Sequence, residues 1–309
     1  MEKSAEIKYY SYDMPAKPFV KWAGGKTQLL LEIRTKYPQT VIKYCEPFVG
    51  GGAVLFDVLQ TFHPNEVLIN DMNAELINIY QQIKSNCSLL IEQLSELQQN
   101  YKSQSLEKNK ILFYKKRLRY NELKINRNDA ENLEKAALFI FLNKTCFNGL
   151  CRVNKRGEFN VPFNNAKNPL ICDAENLRAC SELLQNVQMK TGDYSDCKDF
   201  IDSETFVYLD PPYRPLSKTS AFTSYTKNQF SDKEQIELGN FIKEISEIGA
   251  KVLASNSDPK NANKEDNFFD ELYSNFEIKR ISASRMINSN AKKRGAISEL
   301  LISNIAALF

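Results

Sequence analysis

Short apolar or β-branched runs recur along the chain at residues 41–48, 66–70, 205–209, 251–255, 276–281 and 300–303. Several end in a polar loop, which predicts buried strands of an α/β sheet. The texture changes between the second and third runs. Residues 74–85, 88–101, 106–123 and 130–142 carry apolar positions at helical spacing, and the third of these stretches is rich in Lys and Arg. Residues 143–172 then form an irregular segment bearing Asn, Gly and Pro. The pattern predicts an α/β domain, residues 1–73 and 174–309, interrupted by a basic, mainly helical insertion at 74–173. An insertion of about a hundred residues is of ordinary domain size.

Composition narrows the class. The 309 residues are 42% hydrophobic, and no apolar stretch approaches the length of a membrane span. The first fifteen residues lack the apolar core of a signal peptide. Seven cysteines without a Cys-x-x-Cys pair argue against a disulfide framework and a zinc site, and predict a cytoplasmic setting without metal. The single histidine, His63, lies in the turn-like Phe62-His63-Pro64-Asn65, so multi-histidine chemistry is excluded. Charge is more informative locally. Residues 101–160 hold 14 Lys/Arg against 6 Asp/Glu, a net +8 within a chain of net +3. A basic segment on a mildly acidic body predicts a footprint for a polyanion and salt-sensitive binding.

Candidate chemistry collects where strands end. Asp210-Pro211-Pro212-Tyr213 follows the run at 205–209, and ligands bind at that edge of an open α/β sheet. The Asp210 carboxylate and the Pro211 carbonyl can each accept one N–H of an exocyclic amino group. The consecutive prolines hold the acceptor still, and Tyr213 offers a ring for a nucleobase. Glu46-Pro47-Phe48-Val49-Gly50-Gly51-Gly52 follows the first run. Gly50 and Gly52 fit a dinucleotide fingerprint, whereas Leu55 occupies its third glycine position. With Asp71 after the second strand to bind ribose, this suits an adenosine cofactor lacking a pyrophosphate. Lys21-Trp22-Ala23-Gly24-Gly25-Lys26 superficially resembles a phosphate-binding loop, but Val20 stands where that motif needs glycine. It reads as a tight turn carrying Trp22 and Lys26 toward a carboxylate-bearing ligand.

Five motifs occur together and in order: KWAGGK at 21–26, EPFVGGGA at 46–53, NDMN at 70–73, NGLCRVNKRGEFNVPF at 148–163 and DPPY at 210–213. With them the chain resembles the Dam family of DNA adenine-N6 methyltransferases (D12 class, alpha group), including those paired with restriction enzymes that cut at GATC. The likeness continues through residues 217–225 and RGAISELLISN at 294–304. It implies a class I S-adenosylmethionine-dependent methyltransferase sheet, Rossmann-like, with seven strands and an antiparallel hairpin at one edge. The cofactor would be held by Trp22, Ala23, Gly24, Gly25, Lys26, Glu46, Pro47, Phe48, Gly50, Asp71, Asp193, Tyr194 and Asp210, leaving S-adenosylhomocysteine as product. Lys21 and Arg152 would read base edges, with Phe147, Asn148, Leu150, Asn154, Lys155 and Pro162 also at the DNA. Phe147 stands where the nearest relatives carry a tyrosine, so any bond made by that hydroxyl is lost here. Asp210, Pro211, Pro212 and Tyr213 would be catalytic.

The expected reaction is methylation of adenine N6 in duplex GATC by base extrusion and direct in-line transfer, by a monomer, with or without a partner GATC endonuclease. Other amino nitrogens remain open on the residues alone: cytosine N4, an RNA adenine or a protein glutamine. A DNA-binding regulator with a degenerate methyltransferase fold is the non-enzymatic alternative. A nicotinamide-dependent oxidoreductase is disfavoured by the missing third glycine. No cysteine follows a proline, which excludes the nucleophile of cytosine-C5 methyltransferases.

Overall fold

The computed structural model describes residues 15–126, 129–214, 230–284 and 296–305. The motif at 217–225 and the start of RGAISELLISN, Arg294 and Gly295, lie outside them. Seven strands form one sheet: β1 (Lys43–Glu46), β2 (Glu66–Asp71), β3 (Val187–Thr191), β4 (Thr205–Leu209), β5 (Lys251–Ser257), β6 (Glu277–Ser284) and β7 (Ala296–Ser303), in the order β3-β2-β1-β4-β5-β7-β6. β1 pairs in parallel with β2 and β4, and β4 with β5. β7 runs antiparallel to both β5 and β6, which makes the expected edge hairpin. Central strands need apolar residues on both faces. Accordingly, every residue of β4 is buried.

Two compact units divide the chain. One comprises Met1–Gly25, Gly50–His63 and Asn73–Thr191, the other Lys26–Val49, Pro64–Met72 and Gly192–Phe309. In the second unit, Cys45, Leu68, Val207, Leu209, Val252 and Ala254 of the sheet pack with Leu238, Phe241, Ile242 and Ile245 of a helix at Asp232–Glu247. That helix begins with a capping box, in which Ser231 and Glu234 satisfy each other's backbone N–H groups.

The first unit is mainly helical. α1 (Leu30–Arg34) belongs to the other unit, while α2 (Ala53–Phe62), α3 (Ala74–Lys102), α4 (Leu106–Asn126), α5 (Asn132–Thr145) and α6 (Ala174–Leu184) belong to this one. The helices expected at 74–85 and 88–101 are one element, α3, bent at Asn86 (φ −131°, ψ 30°). The polar run that reads as a break is therefore a kink. Asn73 caps α3, its side chain accepting from the N–H groups of Glu75 and Leu76. His63 is exposed in a left-handed turn, as its sequence context predicts. β3 has no counterpart among the expected runs. Of Val-Gln-Met-Lys-Thr only the valine is buried, so this edge strand lacks an apolar signature. No helix among the described residues is long and apolar enough to cross a membrane.

Candidate active site

In the second unit the strand ends place an acidic cluster around one buried cation. Asp210 begins the loop after β4, with its side chain 18% exposed, and its Oδ2 lies 2.6 Å from Nζ of Lys26. Lys26 sits in a 3-10 turn, Lys26–Leu29, and is itself 3% exposed. The same ammonium lies 4.9 Å from the centroid of the Tyr213 ring, within cation–π range. The Tyr213 hydroxyl donates to Oε2 of Glu299 on β7 at 2.6 Å. Arg214 pairs with Asp232 at 2.6 Å and with Asp266 at 2.7 Å. The Pro212 carbonyl accepts from Gln235.

Burial pushes the Asp210 carboxyl above its ordinary value, and the neighbouring Lys26 opposes that rise. Glu46, at the end of β1, is pushed well above its ordinary value, first by burial and further by the charges of Asp210 and Asp71. The Tyr44 hydroxyl, donating to Glu46 at 2.7 Å, works in the other direction. Tyr213 is raised as well, chiefly by burial and then by Asp210 and Glu299.

Asn70 joins the loops that follow the strands. Its Nδ2 donates to the carbonyls of Pro47 and Gly192, and its own carbonyl accepts from the N–H of Val49. Its Oδ1 is buried without a hydrogen-bond partner. Asp71 is half-buried at the end of β2, and its carbonyl accepts from Gly192. Phe48 and Tyr194 face one another with centroids 5.4 Å apart and planes tilted by 32°. Asp193 is exposed and accepts from the backbone N–H and the hydroxyl of Ser195. The charge balance of this cluster suits a cationic ligand, because a positive group beside Glu46 and Asp71 relieves their mutual repulsion.

In the first unit, Trp22 and Gly25 close the expected turn over Ala23 and Gly24, the Gly25 N–H donating to the Trp22 carbonyl at 3.2 Å. The Trp22 ring packs on the glycine loop so closely that a Cβ on Gly50 would lie 2.9 Å from its Cδ1. Tyr80 holds the loop from α3, its hydroxyl donating to the Gly50 carbonyl. Lys21 stands beside the turn Phe147–Gly149. Fully buried Asn143 joins the two: its Oδ1 accepts from the Lys21 N–H, and its Nδ2 donates to the carbonyls of Lys21 and Gly149. Phe147 is 52% exposed, so its ring is not core packing. Asn148 and Pro162 are also exposed and Leu150 is half-buried.

Residues 152–160 fold back as a hairpin, with a bridge between Val153 and Phe159 and the tight turn at Gly157. Arg152 and Lys155 are exposed on it, while Asn154 is half-buried and bonded to Glu158. α4 braces this hairpin along one face. Arg117 donates to the Val161 carbonyl, Lys124 to that of Gly157, and Asn121 both gives to and accepts from the Phe159 backbone. Arg119 is paired with Glu131 and Glu134. The basic excess is thus divided: Lys102, Lys108, Lys110, Lys115, Arg152, Lys155 and Arg156 are exposed, whereas Arg117, Arg119 and Lys124 act as braces.

Sequence reading missed Asn70, Asn121, Asn143 and Glu299. Glu299 alone carried a local signal: a carboxylate inside the run Ile-Ser-Glu-Leu-Leu-Ile requires a partner.

A parallel sheet ending in an antiparallel hairpin, with acids at the tips of β1 and β2 and Asp-Pro-Pro-Tyr after β4, defines a class I methyltransferase. A family model of the D12 class N6 adenine-specific DNA methyltransferases matches residues 22–287. The chain belongs to that family, and it is an adenine-specific DNA methyltransferase. It is 48% identical over 297 residues to the type II methyltransferase M.MjaIII of Methanocaldococcus jannaschii, covering 94% of this chain and 100% of that one. It is 38% identical to the type II methyltransferase M1.LlaDCHI of Lactococcus lactis subsp. cremoris, covering 93% and 95%. It is 33% identical to the DNA adenine methylase of Escherichia coli, covering 92% and 94%.

Proposed function

We propose that this enzyme methylates adenine N6 in duplex GATC, using S-adenosylmethionine, on an adenine extruded from the helix. The observation that carries the reading is the Asp210–Lys26 pair beside Tyr213 at the end of β4. Lys26 engages Oδ2 of Asp210, so Oδ1 is the atom offered to one N6–H, and the Pro211 carbonyl takes the other. Both acceptors draw the amino hydrogens away from the ring plane and return electron density to the nitrogen. As N6 becomes positive during transfer, the fixed carboxylate stabilises it without reorganising. Tyr213 supplies the face on which the adenine stacks, offsetting an extrusion that costs a few kcal/mol.

The cofactor, when bound, supplies an electrophilic sulfonium methyl group. Lys26, Glu46, Phe48, Asp71, Asp193 and Tyr194 would hold it, with Glu46 and Asp71 answering its positive charges. Trp22 and the loop at Gly50 are assigned to the same ligand. Residues 74–173 are assigned to target recognition, and residues 1–73 and 174–309 to catalysis. Lys21 and Arg152 read base edges, a lysine or arginine donating to guanine O6 and N7. Phe147, Asn148, Leu150 and Pro162 contact the bases around the extruded one, while Asn154 and Lys155 hold the hairpin to the backbone. Likeness to two type II methyltransferases supports a restriction–modification setting, in which a monomer shares GATC with an endonuclease without contacting it.

The test is transfer of labelled methyl from S-adenosylmethionine into two duplexes, one containing GATC and one with that site changed to GTTC. Incorporation in the first alone, on adenine N6 and lost in Asp210→Ala, is expected. Equal incorporation in both overturns the site assignment, and undiminished turnover by Asp210→Ala overturns the catalytic one.

A further inference from the structure

The C-terminal motif on β7 has no role in the reaction described above, yet it delivers a carboxylate to the catalytic tyrosine. Glu299 lies in register with Ser257 of β5 and Ile281 of β6, so its backbone is fixed from both sides. Its Oε2 accepts from the Tyr213 hydroxyl at 2.6 Å. A tyrosine side chain swings about its Cα–Cβ bond, and a hydrogen bond to the hydroxyl at its far end restrains that swing. The oxygen lies on the Cβ–Cγ axis, so the bond fixes where the ring sits rather than how it spins. On the near side the ring meets the Lys26 ammonium. Along the chain it is bounded by Pro212, whose carbonyl is held by Gln235, and by Arg214, held by two aspartates. The hydroxyl is thus the point at which the far end of the ring is placed, and Glu299 is the group that holds it there.

We propose that Glu299 is a positioning residue for methyl transfer: by holding the Tyr213 hydroxyl it fixes the position of the ring on which the extruded adenine stacks. This rests on the base-extrusion reading. It assigns no proton transfer to Glu299, whose function is to accept one short hydrogen bond. A bond of this charge-assisted kind is worth roughly ten-fold to a hundred-fold in an equilibrium. A stacking platform released from it loses a comparable factor in the rate of the bound complex.

The experiment uses the full chain with S-adenosylmethionine and a GATC duplex in single turnover, comparing Glu299→Leu, Glu299→Gln, Tyr213→Phe and the double variant Glu299→Leu/Tyr213→Phe. Glu299→Leu and Tyr213→Phe are each expected to slow methyl transfer by about ten-fold or more, with cofactor affinity unchanged. Glu299→Gln keeps an acceptor and recovers most of the rate. The double variant is no slower than either single one, because both remove the same bond. A duplex with 2-aminopurine in place of the target adenine reports stacking through its emission, and that signal should change in Glu299→Leu but not in Glu299→Gln. Additive losses, or a Glu299→Leu rate equal to wild type, overturn the proposal. If the wild-type enzyme methylates the duplex yet leaves 2-aminopurine emission unchanged on binding, base extrusion itself is wrong, and Glu299 loses its role with it.

Discussion

Replacing Lys26 by methionine isolates the buried pair on which the acidic cluster depends. Nζ of Lys26 and Oδ2 of Asp210 are 2.6 Å apart. At an effective dielectric of about 20 that separation corresponds to an attraction of about 6 kcal/mol. Most of it offsets the desolvation of two charges, which explains why such pairs add little net stability. Methionine fills the lysine's space but leaves a buried carboxylate alone, and removing one partner of a buried pair costs about 3–5 kcal/mol. The deficit should depend on pH. Asp210 already titrates above its ordinary value because it is buried, and Lys26 is what holds that rise in check. A carboxyl with a raised folded-state pKa binds its proton more tightly in the native protein than in the unfolded chain. Stability therefore falls as pH rises through the raised pKa, and Lys26→Met pushes that pKa higher still. Urea unfolding at about pH 5.5 and about pH 8 should show the larger deficit at the higher pH. The double variant Lys26→Met/Asp210→Asn should recover most of the loss. Equal deficits at both pH values, or simple additivity in the double variant, would refute this account of the pair.

Glu46→Gln should make the protein without cofactor more stable above the ordinary carboxylate range, since the burial of a charge and its repulsion from Asp210 and Asp71 disappear, and should weaken S-adenosylmethionine binding by roughly ten-fold to a hundred-fold. Calorimetry and urea titration on the same samples test both, and a variant that loses stability and binds as before counts against the cationic-ligand reading. Gly149→Ala meets a φ of +66° and would place a Cβ 2.6 Å from that of Lys21; the strain is about 1–2 kcal/mol. It should reduce the ratio of GATC to GTTC methylation while leaving cofactor affinity intact. Asn121→Leu removes both bonds that hold Phe159 to α4 and should raise the KM for DNA several-fold at little change in kcat. A fall in kcat alone would show that the brace serves something other than the hairpin.

The parts of the fold that were legible are those where burial alone selects the residues. β4 and most of β5 lie inside the sheet and read as apolar runs, whereas β3 at the edge buries only Val187 and is silent. β7 is longer than its apolar half at 300–303 suggests, because its first residues follow a hairpin register rather than a core. Asn86-Cys87-Ser88 reads as a helix break because polarity marks a bend and a stop alike. At the site, the motifs name candidate residues that lie on contiguous loops after strands. Asn143 and Asn121 are not among them, because each acts through a hydrogen bond to a segment remote in sequence, and the carboxylate of Glu299 signals a partner without saying which. Their spacing carries no periodic trace. The net charge of the basic segment overstated its exposed cations for a related reason: Arg117, Arg119 and Lys124 have partners that a charge count does not see.

Asn143 also limits how this enzyme can be re-engineered. Three of its hydrogen bonds join Lys21 to the turn at Gly149, and the two ends of the Lys21–Asn143 contact are 122 positions apart in the chain. Closing so long a loop carries an entropic cost that the rest of the junction must offset. The region that would read bases is therefore not a cassette. Exchanging residues 74–173 for those of a relative with a different target would carry over the hairpin and leave Lys21 behind, facing a turn it was not shaped to meet. A transplant that also moves residues 17–25 keeps both halves of that junction together, and it is the exchange most apt to transfer specificity without loss of folding.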